Sequence, residues 1–101
     1  MVDKKYDIVV YGATGFTGQL ICEYLSKHKD IENIKWGISG RDESKLKNIS
    51  NHFSVDYIKA DSFDIPSLNN LTSLSKLIIS TVGPYSLYGK KLIESCVNNK
   101  T

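Results

Sequence analysis

A chain of 101 residues has room for one hydrophobic core and too little for two domains. Its 41% hydrophobic and 24% charged content suit an ordinary globular protein, and a net charge of +2 with scattered lysines offers no nucleic-acid surface. Two cysteines, Cys22 and Cys96, make neither a disulfide framework nor a metal site, and no apolar run approaches the ~20 residues of a membrane span.

Met1-Val2-Asp3-Lys4-Lys5 leads directly into a strand, with no apolar signal segment. The expected location is cytoplasmic or another intracellular compartment, with lipid or peripheral membrane association of the full-length protein left open. Residues 6–11 are the first predicted strand. Ile8, Val9 and Val10 form an unbroken β-branched run, which suits burial on both faces of a parallel sheet. Gly12, Gly15 and Gly18 follow, with Ala13, Thr14, Phe16 and Thr17 between them. The spacing is G-x-x-G-x-x-G, and a helix over 16–28 comes next. A strand feeding a helix through a glycine turn places a diphosphate at the helix N-terminus. Gly12 can take the positive φ of a sharp turn. Gly15 lets a pyrophosphate approach the backbone, and Gly18 lets the helix pack against its strand. The first N–H groups of the helix, around Phe16 and Thr17, would face the ligand. Leu20, Ile21, Tyr24 and Leu25 recur at helical spacing as the expected inner face. Both cysteines fall on apolar helix faces, where core packing is their expected role. His28, in the last turn, reads as a solvated cap.

Residues 34–39 are the second predicted strand, followed by Gly40-Arg41-Asp42. Asp42 is the expected N-cap of a helix over 43–52, with Leu46 and Ile49 inward. Residues 55–60 form the third strand, followed by Asp61-Ser62-Phe63. Asp64 is positioned to cap a third helix, with Pro66 in its first turn and Leu68, Leu71 and Leu74 inward. Residues 77–82, which begin with the apolar run Leu77-Ile78-Ile79, form a fourth strand that Gly83-Pro84-Tyr85 breaks. A last helix is expected from Tyr88 or Gly89, with Leu92, Ile93, Cys96 and Val97 on its apolar face.

Four strand–helix alternations predict an α/β fold with a doubly wound parallel sheet, Rossmann-like, in the order 3-2-1-4. The pattern stops after the fourth strand and helix. Residues 1–101 therefore read as a partial dinucleotide-binding domain, with a small complete four-strand domain as the alternative. The fourth strand would present an unpaired edge, for which a second copy of the chain is a candidate partner.

Ligands of such sheets bind beyond the carboxyl ends of the strands. At the end of the second strand, an NAD site calls for a carboxylate that accepts from both ribose hydroxyls. Here Ser39 and Gly40 precede Arg41, the single arginine among 13 basic residues. A guanidinium forms a two-pronged bond to the 2′-phosphate of NADP, which favours NADP over NAD. Asp42 fits the helix cap better than the ribose. Asp61, with Ser62 beside it, either accepts from the adenine amino group or is a simple turn residue. Thr81, Val82, Gly83, Pro84 and Tyr85 should approach the nicotinamide-side ribose, where Gly83 permits close contact.

Three segments carry a family resemblance across essentially the whole chain. They are Gly12-Ala13-Thr14-Gly15-Phe16-Thr17-Gly18, Ser39-Gly40-Arg41-Asp42 with Lys45-Leu46, and Thr81-Val82-Gly83-Pro84-Tyr85 with Tyr88-Gly89. Together they resemble the N-terminal domain of saccharopine dehydrogenase-like oxidoreductases. The resemblance implies a Rossmann domain binding NADP(H) through residues 12–18, 40–41 and 81–85. It also implies a separate C-terminal substrate and dimerisation domain beyond this chain. Relatives act on amino-acid adducts or lipid-linked enoyl groups, so the implied activity is hydride transfer with an unknown substrate. The alternative is an NADP-sensing or scaffold protein without turnover; a sugar-nucleotide or flavin-reductase-like relative is a third reading.

Short-chain dehydrogenases pair a tyrosine with a lysine four residues on, so that the lysine lowers the phenol pKa. The six tyrosines here are followed at that spacing by Val10, Gly15, His28, Asp61, Gly89 and Leu92. No catalytic residue and no metal site is therefore assigned. Tyr85 and Tyr88 are expected to pack near the nicotinamide end.

Overall fold

The computed structural model describes residues 4–27, 34–81 and 90–99. Within them strands alternate with helices four times. These are β1 (Tyr6–Tyr11), α1 (Phe16–Lys27), β2 (Trp36–Gly40), α2 (Glu43–Phe53), β3 (Asp56–Lys59), α3 (Ile65–Leu74), β4 (Ser75–Ser80) and α4 (Lys90–Asn98). The four strands form one parallel sheet in the order β3-β2-β1-β4. Class and order are those the alternation predicts, because right-handed crossovers leave little other choice.

β1 is central, and its apolar run is buried as expected. Val9 and Val10 are both 0% exposed and point to opposite faces. Val10 joins Ala13, Cys22, Leu25, Ile38 and Leu46 in the core under α1 and α2. Val9 joins Tyr11, Ile58, Leu68, Leu71 and Leu92 in the core under α3 and α4. Burial pushes the Cys22 thiol up to about 11, as befits a core residue.

Two helix faces differ from the expectation. α1 buries Gly18, Cys22 and Leu25, whereas Leu20 and Tyr24 are 50% and 59% exposed. The contact at Gly18 sets the rotation of the helix, and a residue two positions on lies about 200° around it. On α4, Leu92 and Ser95 are buried, and Ile93 and Val97 are 55% and 73% exposed. A polar seam with α3 decides this rotation. Thr72 and Ser95 share a hydroxyl–hydroxyl hydrogen bond of 2.9 Å, and Asn99 Nδ2 donates to Thr72 Oγ1 at 2.9 Å. Lys4 Nζ closes the seam by donating to Thr72 O at 2.8 Å and Asn99 O at 2.7 Å. A cation at two helix C-termini also complements their dipoles.

β4 starts at Ser75, two residues before the predicted position, and runs to Ser80. Ser75 ends α3 as its C-cap and donates its hydroxyl to Leu71 O at 2.7 Å, so a polar residue enters the strand fully buried. The strand is also less covered than its apolar sequence implies. Leu77 is 52% exposed, because β4 pairs only with β1 among the described residues. The expected start of the last helix at Tyr88 or Gly89, and the cap reading of His28, lie outside the described residues. Asp42 caps α2 as expected, accepting from Lys45 N at 3.2 Å. Asp64 occupies the N-cap position of α3 without a side-chain cap bond. Among the described residues no helix is long and apolar enough to cross a membrane.

Tyr6 gives the fold an alkaline limit. Its hydroxyl donates to Asp56 Oδ2 at 2.8 Å. Burial first, and then the Asp56 carboxylate, push the phenol up to about 12. An unfolded tyrosine ionises near pH ~10. The raised native value therefore contributes stability that is full below that pH and is lost as pH rises through the native value. Tyr11, raised chiefly by burial, adds to the same slope. The urea midpoint is expected to fall between roughly pH 10 and 12, less steeply in Tyr6→Phe. An identical slope in the variant would show that Tyr6 carries none of it.

Candidate dinucleotide-binding site

The site lies where β1 ends. Gly12 has φ 89°, the left-handed turn the sequence predicts. The N–H groups of Gly12 and Ala13 both donate to Ser39 O, at 2.9 and 3.2 Å, which ties the turn to the end of β2. Gly15 N donates back to Gly12 O at 3.1 Å, and Gln19 N then donates to Gly15 O at 3.0 Å. The N–H groups of Phe16, Thr17 and Gly18 therefore fall in the first helical turn, where an α-helix has no acceptors of its own. Gly15, Phe16 and Thr17 are exposed there. The turn can thus offer donors and the positive end of a helix dipole to an anion.

The glycines divide by function. A Cβ on Gly18 would run into Gly12 O and come within 2.7 Å of Ala13 Cα, so this glycine is required for α1 to pack. A Cβ on Gly15 would meet only Gly12 O at 3.5 Å among the described residues. One on Gly40 would meet Leu46 Cδ2 at 3.5 Å and Thr14 Cγ2 at 3.8 Å. These are ordinary contacts, and neither glycine has a positive φ. At this turn the fold alone asks for Gly12 and Gly18, and it would tolerate a methyl group at Gly15 and Gly40.

At the end of β2, Gly40 is buried, and its carbonyl accepts from Ala60 N at 2.9 Å. Arg41 is exposed and has no salt bridge among the described residues. Asp42 is engaged in capping α2. At the end of β3, Asp61 Oδ1 accepts from Phe63 N at 2.9 Å. This is the turn role the sequence offers for it, and it leaves Oδ2 without a partner among the described residues. Ser62 is 7% exposed, and its hydroxyl pairs with Tyr11 OH at 2.6 Å. Burial pushes the Tyr11 phenol up, Asp61 adds to the rise, and the Ser62 bond and Arg41 oppose it. The charges of Arg41 and Asp61 thus act on one phenol between two strand ends. Tyr11 joins the ends of β1 and β3 at the candidate site, a contact that local sequence patterns do not show. Its signal in the sequence is an aromatic side chain directly after the aliphatic run Ile8-Val9-Val10, at the last position of β1.

At the end of β4, Thr81 donates its N–H to Tyr11 O at 3.0 Å. Its hydroxyl lies 3.1 Å from Gly12 O and 3.3 Å from Tyr11 O. The structure therefore brings Thr81 to the glycine turn. Val82, Gly83, Pro84 and Tyr85 lie outside the described residues. Among the described residues no group of three or more His, Cys, Asp or Glu side chains could hold a metal ion.

Residues 8–101 match the saccharopine dehydrogenase NADP-binding domain family. The chain belongs to this family. It is a dinucleotide-binding domain, and its cofactor is NADP. A Caenorhabditis elegans lipid droplet localized protein is 40% identical over 105 residues, covering 95% of this chain and 25% of that protein. A Mus musculus saccharopine dehydrogenase-like oxidoreductase is 28% identical, covering 97% of this chain and 26% of that protein. A trans-acting enoyl reductase of Mycobacterium leprae is 32% identical, covering 97% of this chain and 24% of that protein. The chain thus spans about a quarter of the length of these relatives. Among solved structures, apo saccharopine dehydrogenase from Saccharomyces cerevisiae superposes with a TM-score of 0.75 at 18% identity, over 95% of this chain and 20% of that one. The NADPH-dependent quinone oxidoreductase of Escherichia coli, complexed with NADPH, gives a TM-score of 0.76 at 18% identity, over 93% of this chain and 34% of that one. At such identities the likeness is one of fold. In this saccharopine dehydrogenase NADP-binding domain, the exposed first turn of α1 and the end of β2 offer groups of the right chemistry for a dinucleotide. The glycine turn is exposed at Gly15, Phe16 and Thr17, and Arg41 is an exposed cation with no salt bridge among the described residues.

Proposed function

We propose that the chain holds NADP with its diphosphate at Gly12–Gly18, its adenosine ribose and 2′-phosphate at Gly40 and Arg41, and its adenine beside Asp61 and Ser62. The observation that carries this reading is the division of the glycines. Gly15 and Gly40 have no reason in the fold, and a bound dinucleotide supplies one. Arg41 offers the 2′-phosphate a charge-assisted fork that NAD cannot use. Asp61 retains one carboxylate oxygen for the adenine amino group.

For the full-length protein we propose an NADP-dependent oxidoreductase, in which the dinucleotide supplies hydride chemistry and this domain binds and orients it. The relatives named oxidoreductase and enoyl reductase support that activity. Exposed Leu77 on β4 and exposed Ile93 and Val97 on α4 support a further strand and helix that complete the sheet. A substrate domain would follow them.

Titration of the full-length protein with NADPH and NADH tests the cofactor site. Tighter binding of NADPH is expected; equal affinity for the two would refute the 2′-phosphate contact. Imine, carbonyl and lipid-linked enoyl acceptors then test turnover. The enoyl class is included because relatives are named for enoyl reduction and for lipid droplets. NADPH bound but never oxidised by any of the three would refute the oxidoreductase and leave a binding module.

A further inference from the structure

We infer that Thr81 is a positioning residue whose hydroxyl pins the Gly12 carbonyl and so fixes the turn that presents α1 to the diphosphate. The inference rests on the reading that residues 12–18 receive NADP. Three constraints meet at that carbonyl. Gly15 N donates to it at 3.1 Å, the empty Cβ position of Gly18 lies against it, and Thr81 Oγ1 sits 3.1 Å away. The first two belong to the turn and its own helix. Among the described residues Thr81 alone reaches it from a distant segment, just beyond β4 and across 69 residues of sequence.

A threonine hydroxyl has one proton to give. Tyr11 O lies slightly farther off, at 3.3 Å, and already accepts the backbone N–H of Thr81 at 3.0 Å. Gly12 O likewise accepts one N–H, from Gly15, and as the nearer of the two carbonyls we take it as the acceptor of the hydroxyl proton. The backbone bond then sets the height of Thr81 beside β1, and the side-chain bond sets the orientation of the Gly12 peptide. That orientation needs a fixture. Gly12 sits at φ 89° and has no side chain to restrain it, so the tilt of its peptide is set by the bonds at its two edges: Ala13 N–H held by Ser39 O at 3.2 Å, and the carbonyl held by Gly15 N and Thr81 Oγ1. Rotation would also turn Gly15 N–H away from its acceptor and shift the exposed first turn of α1. Thr81 is half-buried and is the first residue beyond β4. The pin therefore couples the segment leaving β4 to the diphosphate turn. Cofactor contact is not required for this role, which differs from the direct contact expected of Thr81 from sequence.

Thr81→Val keeps the branched shape and removes the hydroxyl, and Thr81→Ser keeps the hydroxyl and removes the methyl. Two readouts apply in the full-length protein. One is amide hydrogen exchange of Gly15 without cofactor, and the other is the dissociation constant for NADPH. Thr81→Val is expected to speed exchange at Gly15 and weaken NADPH about five- to tenfold, the effect of losing one neutral hydrogen bond. Thr81→Ser is expected to restore both towards wild type. Unchanged Gly15 exchange in Thr81→Val overturns the inference. So does Thr81→Ser behaving like Thr81→Val, since that makes the methyl group the important part. Wild-type protein that binds no NADPH would refute the site reading instead, and the exchange measurement, which needs no cofactor, still decides the pin.

Discussion

Gly18→Ala is expected to destabilise the domain by about 3 kcal/mol, at the upper end of the usual cost of overpacking. The added methyl would overlap the Gly12 carbonyl and lie 2.7 Å from Ala13 Cα and 2.9 Å from Gly12 C. All three are backbone atoms, so no rotamer change relieves the clash. α1 would have to lift from β1, and Cys22 and Leu25 would leave the core with it. Gly15→Ala is the matched control. Its methyl would meet Gly12 O at 3.5 Å, an ordinary contact, and the domain should stay within about 1 kcal/mol of wild type. NADPH binding should nevertheless fall tenfold or more, because the methyl occupies the space assigned to the pyrophosphate. Urea unfolding and NADPH titration of both variants make the comparison. Wild-type stability in Gly18→Ala would mean that α1 does not pack this closely. Wild-type affinity in Gly15→Ala would remove the diphosphate from the turn.

Arg41→Ala should weaken NADPH by roughly 10- to 100-fold and leave NADH within about twofold. A charge-assisted hydrogen bond contributes roughly 1.5–3 kcal/mol, and the 2′-phosphate is the group that NADH lacks. Arg41 is exposed and bears no salt bridge among the described residues, so its removal should cost the fold little. Arg41→Lys keeps the charge and loses the planar fork, and it should bind NADPH with intermediate affinity. Raising the salt concentration should weaken wild-type binding of NADPH more than that of NADH. Equal losses for both dinucleotides in Arg41→Ala would place the 2′-phosphate elsewhere.

Much of the site is legible residue by residue. The left-handed turn at Gly12, the packing role of Gly18 and the cap at Asp42 follow from local chemistry and appear as expected. Of the two roles the sequence offers Asp61, the turn role is seen in the bond from Phe63 N. The pairing of the Ser62 hydroxyl with Tyr11 is not legible in the sequence. β4 starts earlier than its apolar run indicates because Ser75, although polar, enters the strand fully buried.

The sequence by itself determined the alternation of strands and helices, the sheet order, the glycine turn and an arginine at the end of β2. Each is written in a local pattern: a run of β-branched residues, a period, a spacing, a residue next to a strand end. The tertiary structure decided which way α1 and α4 turn, which glycines the fold itself needs, and where Tyr11 and Thr81 reach. Periodicity shows which residues share a helix face, but the rotation of that face towards the sheet is set by contacts such as those at Gly18 and Ser95. The Tyr11–Ser62 and Thr81–Gly12 bonds join residues 51 and 69 positions apart, and only the packed sheet brings such pairs within a hydrogen bond.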